Sequence, residues 1–176
     1  MSVSNSPAIL RRRQRGVSIV EALVAFVILS VGLLGIAGLY LESVRSNRTA
    51  LTRTAAVQLA NDLADRIRAN RSAEGAYALQ PLGTVPTGPS TTTACVTSSC
   101  TPAVLASYDL KTWYDHVLLV IPKDPDGTTP PRVGVAYTNG TNVSTPDRYV
   151  ITIAWMEPGD TSLLSTSVEV MQLGDQ

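Results

Sequence analysis

The sequence predicts an α+β protein in which one very long N-terminal helix packs, through its second half, on a small antiparallel sheet. Three observations lead there: an apolar run of 20 uncharged residues near the N-terminus, an apolar stripe at helical spacing directly behind it, and turn-bounded strand-like segments towards the C-terminus. With 176 residues the chain has room for an anchor and one modest domain. Hydrophobic residues make up 44% and charged residues 16%, which excludes a disordered chain and points to apolar content concentrated in one segment.

The charge total is uninformative, because 14 basic residues face 14 acidic ones. Its distribution is not. Arg11, Arg12, Arg13 and Arg15 lie in the first 16 residues, which hold no acid; without them 10 basic residues remain against 14 acidic. A mildly acidic remainder argues against nucleic acid as a partner. The basic start favours retention of the N-terminus in the cytoplasm, a bias weakened by Arg45, Arg48 and Arg53 beyond the apolar run.

From Val17 to Leu41 the chain reads VSIVEALVAFVILSVGLLGIAGLYL, with no charge after Glu21 until Glu42. Twenty helical residues rise about 30 Å, the thickness of the hydrocarbon core of a bilayer. Gly35-Ile36-Ala37 imitates the cleavage site of a secretory signal, yet the run is too long for one and continues without a break into a helical pattern. Glu42 to Arg71 contains no Gly or Pro, and Leu51, Ala55, Leu59, Leu63 and Ile67 recur at every fourth residue beside Ala56, Ala60 and Ala64. Asp62 with Arg66 and Asp65 with Arg68 are favourably spaced ion pairs, and Arg66, Arg68 and Arg71 suit a helix C-terminus. The spacing therefore predicts one helix from Val17 to Asn70, roughly 80 Å long, greasy all round in its first half and amphipathic in its second.

Ser72 to Pro102 is rich in Gly, Pro, Ser and Thr and reads as a loop that holds both cysteines. A short helix is expected at Ser107 to Leu119, although Val117 to Ile121 is apolar enough for a strand. Strands are expected at Arg132 to Thr138, Tyr149 to Trp155 and Ser165 to Leu173, separated by turns at Asp124-Pro125-Asp126-Gly127, Asn139-Gly140 and Pro158-Gly159. The count is about four strands. Large and small residues alternate over Tyr149 to Trp155, so one face of the sheet should rest on the helix stripe.

The most specific signal is Arg15-Gly16-Val17-Ser18-Ile19-Val20-Glu21: a basic leader, a glycine, then an apolar helix whose fifth residue is a glutamate. A carboxylate near the membrane costs up to about 3 kcal/mol at mid-bilayer, so Glu21 is a functional candidate rather than a casual surface residue. Here the sequence resembles the type IV pilins, and among them the PilV-type minor pilins. The resemblance extends through Val31 to Leu39 and Leu59 to Asn70 and covers about residues 11 to 71.

That resemblance implies a pilin fold with four parts. Residues 1–16 are a cleaved cytoplasmic leader, 17–41 the transmembrane half of the helix, 42–71 its periplasmic amphipathic half and 72–176 a periplasmic β-rich region. It implies cleavage between Gly16 and Val17 by a prepilin peptidase, N-methylation of Val17, and a role for Glu21 in assembly. The implied function is non-catalytic: a minor pilin in the initiation, assembly or tip of a type IV pilus, serving adhesion and twitching motility. Its partners would be other minor pilins, the major pilin, a tip adhesin and inner-membrane lipid. The alternatives are a minor pseudopilin of a type II secretion system and a DNA-binding minor pilin for uptake. Val17 stands where the family usually has Phe, and Gly32, Gly35 and Gly38 stand in a membrane half where major pilins often carry a Pro.

Cys95 and Cys100 enclose four residues, and an oxidising periplasm predicts a disulfide between them. No metal or cofactor is expected: the single histidine, His116, supplies too few ligands for a metal, and it has no nucleophile elbow to serve. Asp124 to Gly127 resembles the start of a calcium loop but lacks the closing Glu, and so reads as a turn.

Overall fold

A computed structural model describes residues 16, 18–88, 95, 99–140, 145–157 and 162–172. The chain divides into two compact units, Met1–Arg45 and Ser46–Gln176. Helix α1 spans Ile19–Ala69, within a residue or two of the predicted limits. The leader residues 1–15, Val17, the Pro158-Gly159 turn and Leu173 lie outside the described residues.

In the first unit the helix buries nothing. Leu34 is 73% exposed and Leu39 75%, and α1 is the one helix among the described residues long and apolar enough to cross a membrane. A Cβ at Gly32, Gly35 or Gly38 would meet no atom within 4 Å.

The second unit holds every buried hydrophobic residue. Ala56, Leu59, Ala60, Leu63, Ala64 and Ile67 form the buried stripe of α1, whereas Leu51, expected in that stripe, is 62% exposed and Ala55 only half-buried. After α1 a short 3-10 segment, Arg71–Tyr77, replaces the first part of the expected loop. It carries Glu74 at φ 45°, in the left-handed region that side chains other than glycine adopt at a cost. A Cβ on the adjacent Gly75 would stand 2.9 Å from the Tyr137 ring, so this position needs a glycine. The Tyr149 hydroxyl donates to the Glu74 carbonyl, and the rings of Tyr137 and Tyr149 lie 4.9 Å apart. Two aromatic rings thus hold the bend on the sheet.

Helix α2 covers Pro102–Val120 and is the largest difference from expectation. It starts five residues earlier than predicted and takes in most of Val117 to Ile121, which is therefore not a strand. Thr101 caps the helix through its hydroxyl, and Pro102 occupies the first turn, where its missing N–H costs nothing. Ala106, Leu110, Trp113 and Val117 recur at three or four residues and are all buried. Local strand propensity at the end of this segment yields to that stripe.

Among the described residues three strands, not four, form the sheet: β1 (Arg132–Thr138), β2 (Asp147–Trp155) and β3 (Leu164–Gln172), antiparallel in the order β1-β2-β3. Tyr149, Ile151, Ile153 and Trp155 of β2 are buried beside Val133 and Val135 of β1 in one core with the α1 stripe and α2. An aromatic residue buries about 150–250 Å², so at about 25 cal/mol per Å² Trp113, Trp155, Tyr77 and Tyr149 each supply roughly 4–6 kcal/mol before entropy is subtracted. Asp124 to Gly127 forms the predicted turn. Asp126 accepts hydrogen bonds from the Thr129 hydroxyl and from the amides of Thr128 and Thr129, which hold its carboxyl well below the usual range. Asp124, buried, accepts from Arg132 and from the amide of Met156, tying the turn to β1 and to the end of β2.

Candidate assembly helix and its anchor in the globular unit

Gly16 is exposed, and the helix starts just after it: the Ala22 amide donates to the Ser18 carbonyl at 3.1 Å. Glu21 sits in the first turn, exposed, at the head of the apolar run. The unpaired amides of a helix start favour a carboxylate there by about 0.3–1 kcal/mol. Inside the run the Ser30 hydroxyl donates to the Val27 carbonyl at 2.8 Å, so that polar group satisfies itself without a partner helix. The arrangement offers an all-round apolar rod with one carboxylate near its tip.

The other end of α1 is fixed by a polar network of which only the Asp62–Arg66 pair was expected from the sequence. Arg66 pairs with Asp62 at 3.3 Å and with Asp109 of α2 at 3.1 Å. The Tyr77 hydroxyl donates to the other oxygen of Asp109 at 2.7 Å, and Asn70 donates to Tyr77 and to the Pro102 carbonyl. Burial, then the bond to Asp109, pushes the Tyr77 phenol well above its ordinary value. Two side chains also bond to carbonyls of α1: Trp113 Nε1 to Leu59 at 2.8 Å, and Gln172 Nε2 to Ile67 at 2.6 Å. Pairing Asn70 with Pro102, Arg66 with Asp109 and Leu59 with Trp113 makes α2 antiparallel to the second half of α1. The missed signal was the Thr-Pro helix start at Thr101-Pro102, which extends α2 far enough to bring the Pro102 carbonyl within reach of Asn70.

Cys95 and Cys100 are joined in a disulfide. It closes the chain immediately before the cap of α2. Among the described residues no group of three His, Cys, Asp or Glu side chains could hold a metal ion. His116 lines an open cleft of about 210 Å³ with Ala55, Gln58, Leu59, Asp62 and Val120, a shallow and mainly apolar surface.

An unburied apolar helix that bears a carboxylate in its first turn, followed by a small α+β unit, fits a membrane-anchored filament subunit. Two family descriptions match adjoining stretches of the chain: the prokaryotic N-terminal methylation motif over residues 11–37, and type IV pilin Tt1218 over residues 38–111. Together these two matches support a type IV pilin. That class is built into pilin or pseudopilin filaments, and its methylation motif implies processing by a prepilin peptidase and assembly with other pilins. No curated protein and no solved structure matches the chain.

Proposed function

We propose that this chain is a minor pilin of the PilV type that takes part in initiating a type IV pilus or in building its tip. The observation that carries the reading is Glu21 in the first turn of an unburied apolar helix, inside the stretch that matches the methylation motif. In this reading residues 1–16 are the leader, cut between Gly16 and Val17. Residues 17–41 cross the inner membrane, 42–71 continue into the periplasm and 72–176 form the periplasmic head. Cleavage creates an α-amine at Val17, and a methylated amine is still protonated near neutral pH.

Within a packed bundle of such helices the amine of one subunit pairs with Glu21 of the next. A low dielectric strengthens the pair, and leaving either charge alone there costs several kcal/mol. The pair therefore sets the axial register of the incoming subunit. Apolar surface supplies the attraction and the pair supplies the position.

Glu21→Val tests this. The variant is expected at normal level in membranes and with Val17 as its N-terminus, but at least tenfold depleted in sheared pili, since each factor of ten needs only about 1.4 kcal/mol. Normal recovery in pili would overturn the register role. A mature N-terminus near Gly38 would overturn the pilin processing itself. The same motif heads the pseudopilins, so pilus content and type II secretion are scored together in a deletion strain. Lost secretion with intact pili assigns the chain to the secretion system instead.

A further inference from the structure

Asn139-Gly140 stands where β1 passes into its connection with β2, a connection of which residues 139, 140, 145 and 146 are described. The fold leaves no choice over the glycine. A Cβ on Gly140 would collide with the Thr145 carbonyl oxygen and stand 2.8 Å from the Pro146 carbonyl carbon, so the two arms approach too closely for any other residue.

That requirement carries a chemical liability. Asparagine followed by glycine is the pair in which the next backbone nitrogen reaches the side-chain carbonyl carbon with least hindrance, because no Cβ stands in its way. The Gly140 nitrogen attacks Asn139 Cγ, the new C–N bond closes a five-membered imide, and the side-chain nitrogen leaves as ammonia with the proton given up by Gly140. Asn139 is exposed, so solvent water reaches the ring and opens it on either side. The product is aspartate or isoaspartate, with one more negative charge and, in isoaspartate, an extra atom in the main chain.

In the folded chain the reacting N–H is already engaged. It donates to Asp147 Oδ1 at 2.7 Å, while the other oxygen of Asp147 accepts from the Tyr137 hydroxyl at 3.1 Å. Tyr137 itself is held against the ring of Tyr149, which keeps the carboxylate in place. Asp147 opposes the reaction in two ways. A hydrogen bond to a charged acceptor has to break before the nitrogen turns towards Asn139, and a fixed negative charge opposes the charge that builds on that nitrogen as its proton leaves.

We propose that Asn139-Gly140 is a deamidation site that the fold requires and that Asp147 keeps dormant. Opening of the connection removes the guard, and the reaction that follows is irreversible. The new carboxylate then faces Asp147 and repels closure, so the site records each opening of this end of the sheet. The proposal is independent of the assembly reading above, and its test needs no filament.

The test is peptide mapping by mass spectrometry of the full chain, held in detergent at mildly alkaline pH with and without urea. Conversion at Asn139 should run at least about tenfold slower in the folded chain than in urea, the factor expected from one hydrogen bond to a charged acceptor. Asp147→Asn, folded by circular dichroism, should convert at least about tenfold faster than the wild type. Tyr137→Phe keeps the carboxylate and should stay close to the wild-type rate.

Equal rates in the folded chain and in urea would overturn the proposal, as would an unchanged rate in folded Asp147→Asn. Equal acceleration in both variants would assign the effect to a loosened hairpin and overturn it too. Should Asp147→Asn not fold, hydrogen exchange of the Gly140 amide in the wild type decides: protection supports the guard, and exchange as fast as in urea overturns it.

Discussion

Tyr77 shows how much one side chain contributes to this fold. Its hydroxyl donates to Asp109 and receives a bond from Asn70, so it joins the end of α1, the 3-10 segment and α2 at one buried point. Tyr77→Phe keeps the ring but leaves one Asp109 oxygen without that donor, a loss expected to cost about 1–3 kcal/mol in denaturant unfolding. The pH dependence has a definite sign. The folded protein raises the phenol pKa above the ordinary 10.0, so the stabilisation is complete below pH 10.0 and is lost as pH climbs towards the raised native value. Each unit of pH in that window removes up to about 1.4 kcal/mol per phenol. Tyr149 is shifted in the same direction, chiefly by burial, so Tyr77→Phe should flatten the alkaline fall only in part. An unchanged slope between pH 10 and 12 would show that the Tyr77 phenol has the same pKa in the folded and unfolded protein.

Helix α2 shows the same logic at the scale of an element. Its stripe packs on α1, and Trp113 fixes the contact by donating to the Leu59 carbonyl from a fully buried position. Trp113→Phe removes that bond and part of the ring, and should destabilise by about 2–4 kcal/mol, read as a lower melting temperature of the globular unit. The disulfide ahead of this helix should matter no more than that. It closes a loop of so few residues that its entropic contribution is about 2 kcal/mol at most, and replacing both cysteines by Ser should lower the melting temperature by less than about 10 °C. A large loss of stability would mean that the bridge supports packing of α2 and not merely the loop before it. How far an element could be read from sequence follows its own periodicity. The α1 stripe and the three strands repeat cleanly and were found within a few residues. Only the first turn or so of α2 was missed, where a Ser/Thr/Pro-rich composition masks a capping residue followed by a first-turn proline.

For the whole molecule the two units predict separate behaviour. The entire core lies at or beyond Ala56, so a fragment beginning at Ser46 should fold alone, unfold cooperatively and stay soluble without detergent, whereas the full chain should require it. Circular dichroism and sedimentation of the two would check this; an unfolded fragment would show that the apolar half of α1 is needed for the core and not only for anchoring. The sequence by itself determined the anchor, the glutamate at its head, the amphipathic continuation and the order of the strands, because each is a local pattern of charge and period that survives without neighbours. Only the tertiary structure decided that an apolar segment with strand character becomes the end of α2, that Tyr77, Asp109, Arg66 and Asn70 meet, and that among the described residues the sheet has three strands. Those outcomes depend on which faces cover one another, and a residue's neighbours at a distance of 32 or 43 positions leave no mark in the local pattern.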